Sequence, residues 1–106
     1  MNSEFIEVHC AVPTKAVAML IAKMLVEEQL CACVNIIESV TSIYRYEGEF
    51  CEDEEFLLLI KTDQEHFTAV ETKILSLHPY DTPEIIALPI LRGTKAYMDW
   101  VKKSLK

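Results

Sequence analysis

The sequence predicts an α+β fold: a four-stranded antiparallel sheet with two crossover helices in the order βαββαβ, and an additional C-terminal helix. Three observations carry that expectation. Residues 5–12 alternate, with Ile6, Val8, Cys10 and Val12 on one face and Phe5, Glu7 and His9 on the other, as in a half-buried strand. Two later stretches switch to helical spacing: Val17, Leu20, Ile21, Met24 and Leu25, then Phe67, Val70, Ile74 and Leu77. Between them, residues 33–62 form two β-rich runs around Glu47-Gly48, where glycine supplies the positive φ of a tight hairpin turn.

Each element has a local reason. After the first strand, Pro13 pre-sets the backbone for a helix start and Thr14 is available to cap it, and the helix runs to about residue 30. The hairpin strands span Cys33 to Tyr46 and Glu49 to Thr62, the second beginning acidic and ending in FLLLIK. Thr62-Asp63-Gln64-Glu65 matches a capping box, in which hydroxyl and carboxylate each satisfy an orphaned amide. The second helix stops near His78 because Pro79 cannot continue it, and Pro83 holds Thr82 extended. A fourth strand, Glu84 to Ile90, includes Pro89 and therefore needs an edge position. Gly93-Thr94 opens the last helix, with Tyr97, Trp100 and Val101 on one face and Lys102, Lys103 and Lys106 toward its negative end. Two right-handed crossovers joined by a hairpin give the ferredoxin-like arrangement, with both helices on one sheet face.

The length fits a single domain over residues 1–106, and no apolar run approaches the ~18 residues of a membrane span. The N-terminal residues lack a basic region, so no secretory leader is expected. Ten basic against seventeen acidic residues give a net charge of −7, which argues against nucleic acid as a partner and favours cations over anions. Without a secretory signal, Cys10, Cys31, Cys33 and Cys51 read as thiols of a reducing cytoplasm, and the Cys31-Ala32-Cys33 spacing is not that of a redox or zinc motif. Gly48 and Gly93 are the only glycines, too few for a phosphate-cradling loop. Nucleophile triads and paired carboxylates in apolar surroundings are also missing, so the chain does not read as an enzyme.

One feature predicts assembly. A wet sheet face should alternate apolar and polar. The third strand does not: Phe56, Leu58 and Ile60 point one way, Leu57 and Leu59 the other, and Ile85 and Ala87 oppose Ile86 and Leu88 in the fourth. Helices on one face and a short terminal helix cannot cover both, so an obligate oligomer packed sheet against sheet is expected.

The topology places Cys10, His78 and the hairpin tip at Glu47-Gly48 at one end of the sheet, with Cys31 and Cys33 at the other. A thiolate and an imidazole suit a borderline divalent ion such as copper or zinc, although two ligands fall short of the usual four. The alternative is that Cys10 is core and His78 caps helix carbonyls. His9 points to the opposite face from Cys10. The acidic stretch EGEFCEDEE lacks calcium-loop spacing and reads as a solvated, charge-protected hairpin end, or as a loose concentrator of cations. Lys61 is either a snorkelling base or an anion anchor, Tyr97 and Trp100 read as core or interface, and His66 reads as surface.

Taken together, VHCAVP, LCACVN, YRYEG, LLLIKT, HPYDTPEIIALPI and YMDW resemble the CutA divalent-cation tolerance family over essentially the whole chain. The resemblance implies a ferredoxin-like subunit in a homotrimer akin to PII signalling proteins, acting in metal homeostasis. It implies divalent metal, copper first, at Cys10 and His78, with Leu77 standing where some members carry a second histidine. It also implies a cleft between subunits lined by Glu47, Lys61, Tyr80 and Trp100. Two further functions are compatible with such a trimer: a PII-like signalling protein taking a small anion or metabolite at Lys61, or a ligand-free scaffold anchoring another protein.

Overall fold

The computed structural model describes residues 4–106; Met1 to Ser3, part of the segment read above as lacking a leader, lie outside the described residues. The chain forms β1 (Phe5–Val12), α1 (Lys15–Glu27), β2 (Cys33–Tyr46), β3 (Glu49–Asp63), α2 (Phe67–Leu77), β4 (Ile85–Pro89) and α3 (Lys95–Ser104). The four strands make one antiparallel sheet in the order β2-β3-β1-β4, the predicted α+β, ferredoxin-like topology. Because β4 is an edge strand, Pro89, opposite Ile6, removes no ladder bond that an inner strand would need.

One face of the sheet carries the core. Ile6, Val8, Cys10 and Val12 of β1 and Leu58 and Ile60 of β3 pack against Ala18, Ile21 and Leu25 of α1 and Val70 and Ile74 of α2. Thr14 caps α1 as expected, its hydroxyl accepting from the Val17 N–H at 3.2 Å. The helix stops at Glu27, short of the expected end near residue 30. Gln29 turns left-handed (φ 58°), so the Leu30 N–H folds back onto the Leu25 carbonyl and the Gln29 N–H onto that of Val26.

The opposite face is only partly covered. Ile37 lies opposite Leu57, and His9 lies between Leu59 and Ile86, so these residues share one surface. Leu57 and Leu59 are half-buried, and Ile37, Ile86 and Leu88 are exposed. α3 shields one end of this surface. Val101 is fully buried beneath it, while Tyr97 and Trp100, expected to share its contact, remain 41% and 45% exposed.

Three expectations are corrected here. The capping box lies one residue off. Thr62 still belongs to β3, opposite Ile6, and its buried hydroxyl donates to the Leu30 carbonyl at 2.8 Å. Asp63 is the cap instead, accepting the His66 N–H at 3.0 Å and opening a 3-10 turn over Gln64–His66 before α2 begins. His66 is not a bare surface residue, because its Nδ1 lies 2.6 Å from Asp63 Oδ1 and its Nε2 2.8 Å from the Lys106 carbonyl. Nor is the whole acidic stretch solvated, since its last carboxylate, Glu55, is only 6% exposed. A further feature carried no sequence signal: β2 bulges between Ile37 and Val40, with Ser39 left-handed at φ 59°.

Burial alone would raise the Asp63 carboxyl, but the hydrogen bonds from His66 and Lys102 outweigh it and hold Asp63 below the usual carboxylate range. Its stabilising contribution is therefore present above the unfolded value near ~4 and is lost as pH falls through the lower folded value. Asp63→Asn should lower stability by about 1–3 kcal/mol at neutral pH. The gap from wild type should close as pH falls through the lowered folded value. Urea unfolding at fixed protein concentration at neutral and acid pH checks this, and an equal gap at both would remove the assignment.

Candidate functional site

The end of β1 and the end of α2 meet where the sequence placed them. Pro79 terminates α2, and His78 adopts an extended backbone whose N–H still closes onto the Ile74 carbonyl at 2.8 Å. The chain then turns sharply, so that the Tyr80 N–H donates to His78 Nδ1 at 3.1 Å. With Nδ1 accepting, the ring proton sits on Nε2, which donates to the Ala11 carbonyl at 2.8 Å. The Cys10 thiol makes a long contact, 3.9 Å, to the same carbonyl. Cys10 and His78 thus converge on Ala11, across the end of the first strand.

This arrangement does not fit a metal site within one chain. Cys10 is fully buried, and its thiol is pushed up to about 12, first by burial and then by the nearby carboxylates of Glu84 and Glu55. A metal needs the thiolate and a free imidazole lone pair. Here both ring nitrogens of His78 are committed, and the side chain is itself buried. No third partner compensates: among the described residues, no group of three or more His, Cys, Asp or Glu side chains is placed to hold a metal ion.

The residues expected to line a cleft fall into two sets. Glu47 sits at the hairpin tip at φ 50°, and Tyr80 follows His78. Lys61 lies opposite Cys33 and Glu7 at the far end of the sheet, on the order of 40 Å along β3 from the tip. There its ammonium donates to Asn35 Oδ1 at 2.5 Å and stands 3.7 Å from Glu7. Trp100 belongs to α3, whose Lys102 reaches Glu4 and Asp63 at that same far end. A single chain therefore does not bring Glu47, Lys61, Tyr80 and Trp100 together.

Beside Ala11 the structure instead forms a cleft of about 710 Å³. Its walls include Tyr44 and Tyr46 of β2, Glu55 of β3, and Tyr80, Asp81 and Glu84 of the segment leading into β4. Glu55 accepts a hydrogen bond from the Tyr80 hydroxyl at 3.1 Å, and the Tyr44 hydroxyl donates to Asp53. Burial, followed by the Glu55 carboxylate, pushes the Tyr80 phenol up to about 12, so it remains a proton donor. Sequence reasoning found Tyr80 here but missed Tyr44, Glu55, Asp81 and Glu84. One signal was available for Glu55: it directly precedes Phe56, where β3 first pairs with β1, so it is the acid nearest the sheet interior.

The family model described as CutA1 divalent ion tolerance protein matches residues 6–104. The divalent-cation tolerance protein CutA of Thermus thermophilus is 52% identical over 93 residues, covering 88% of this chain and 90% of the relative. The human protein CutA is 43% identical over 91 residues, and there the match spans 86% of this chain but only 51% of the relative's length. Among solved structures, the Thermus thermophilus divalent cation tolerance protein superposes with a TM-score of 0.94 at 48% identity, covering 96% of this chain and 99% of the other. CutA1 of Oryza sativa superposes with the same TM-score, 0.94, at 38% identity, covering 99% and 96%. With the fold, the chain order and the sequence in agreement over nearly its full length, this chain belongs to the CutA1 divalent ion tolerance family.

Proposed function

We propose that the chain acts as a non-enzymatic homotrimer in divalent-metal homeostasis, working as one domain over residues 1–106 in the cytoplasm. The observation that carries this reading is the open sheet face. Leu57, Leu59, Ile37, Ile86 and Leu88 form an apolar surface that neither α1 nor α2 reaches. Packing that face against copies of itself removes it from water, and repeated copies related by rotation close a ring. The four free cysteines support a reducing compartment. Sedimentation at micromolar concentration should give the trimer mass for wild type, and Leu59→Glu should shift it to smaller species. A wild-type protein that sediments as a monomer removes the reading.

Copper is the divalent ion we favour, with Cys10 and His78 as its protein ligands. The geometry sets the terms. Capture must remove a thiol proton held up to about 12 and release the Tyr80 N–H from His78 Nδ1, so binding at neutral pH is weak and coupled to proton loss. Affinity should rise about tenfold per pH unit between pH 6 and 9; Cys10→Ala should abolish that rise and His78→Ala should weaken binding at every pH, the trimer staying intact in both. Copper titrations followed by absorbance check this; a pH-independent affinity, or variants that titrate like wild type, would remove these two residues as ligands. The alternative of a small anion or metabolite at Lys61 has less support, because that ammonium already bonds Asn35 and faces Glu7.

A further inference from the structure

We propose that the C-terminal segment is held by a proton-dependent latch, in which the doubly protonated ring of His66 bridges the Asp63 carboxylate and the Lys106 carbonyl and releases Lys106 when it loses a proton. The latch lies at the opposite end of β1 from Ala11 and is independent of the copper reading. His66 Nδ1 is 2.6 Å from Asp63 Oδ1, and Nε2 is 2.8 Å from the Lys106 carbonyl. A carbonyl can only accept a hydrogen bond, and so can an ionised carboxylate. Asp63 is ionised here. Its Oδ1 also accepts the His66 N–H and its Oδ2 the Lys102 ammonium, and against the pull of burial these bonds hold the carboxyl below its usual range. Both ring nitrogens therefore face acceptors, and an imidazole satisfies two acceptors only when it carries two protons.

The surrounding charges determine which bond breaks. Among the described residues they are Asp63 at the end of β3, Glu65 in the 3-10 turn, Lys102 of α3, and Glu4 ahead of β1, which shares Lys102 with Asp63. Lys106 meets the ring through its backbone. When the ring loses one proton, Asp63 stays ionised, because Lys102 and the His66 N–H still bond it, and it retains the proton on Nδ1. The new lone pair then falls on Nε2, facing the Lys106 carbonyl, and attraction turns to repulsion at that one contact. Lys106 is left with its N–H bond to the Gln29 carbonyl at 3.1 Å. The helix is not released with it: Val101 is fully buried beneath α3, and Lys102 keeps both carboxylates. The latch frees the tail without unfolding α3. A ring that gains acceptors on folding stabilises the closed form while it is charged, and that contribution is lost as pH rises through the ring's titration. With 15% of its side chain exposed, the ring exchanges protons with solvent.

NMR of the intact protein from about pH 5 to 9 tests this, with nitrogen-labelled histidine to count ring protons and methyl relaxation of Leu105 to report the tail. In wild type the His66 ring should carry two protons at the acid end and lose the one on Nε2 as pH rises. Over the same transition, with the same midpoint, the Leu105 methyl groups should lose about a third of their order parameter. In His66→Gln, which has no titrating ring, Leu105 mobility should not change with pH. A ring that carries one proton throughout would overturn the proposal. So would a Leu105 whose mobility ignores the ring's titration in wild type, or one that still follows pH in His66→Gln. Both wild-type readouts stand without the variant.

Discussion

Two helices can shield only one face of a four-stranded sheet, and most of what is distinctive in this molecule follows from what occupies the other. On the covered side, β1 and β3 contribute Ile6, Val8, Cys10, Leu58 and Ile60 to a core shared with α1 and α2. On the open side, leucine and isoleucine from β2, β3 and β4 surround a polar row. His9 meets Glu7 at 2.7 Å, Lys61 stands 3.7 Å from Glu7, and Lys61 donates to Asn35 at 2.5 Å. The row satisfies itself within one chain, so a second surface can press onto it without stranding a charge. An apolar surface with an internally paired centre is what a face built for burial requires.

The segment HPYDTPEIIALPI ties this sheet to the cleft. Pro79 ends α2 at the point where His78 can reach the end of β1, and the following turn points Tyr80 toward Glu55 of β3. One short stretch thus contacts β1 through an imidazole and β3 through a phenol before it becomes β4. The imidazole is occupied with structure, bonding Ala11 on one side and Tyr80 on the other. The phenol, bonded to Glu55, lines the cleft.

Much of the fold was legible because its signals are local and periodic. Alternation in β1, the Pro13-Thr14 helix start, the Glu47-Gly48 turn and the Pro79 stop all fall where sequence places them. The capping box misled because Thr62 was still paired with Ile6 in β3, a long-range constraint that outweighs a four-residue motif. The bulge at Ser39 had no glycine or asparagine to announce it. The site was less legible. Proximity of Cys10 to His78 followed from topology, but the commitment of both imidazole nitrogens depends on backbone groups, which a side-chain pattern does not encode. Glu55 looked like its acidic neighbours, and only its position one residue before the pairing with β1 sets it apart.

The two ends of the described chain are fastened to one corner. The Glu4 carbonyl accepts the Gln64 N–H and its carboxylate meets Lys102, while Lys106 donates its N–H to Gln29 and offers its carbonyl to His66. That corner lies at the end of β1 remote from Ala11 and its cleft. Extra polypeptide joined before or after this domain, as in the human relative of roughly twice the matched length, would therefore depart from one shared exit. It could lengthen there without roofing the acidic groove, which leaves the fold free to carry appendages of very different size.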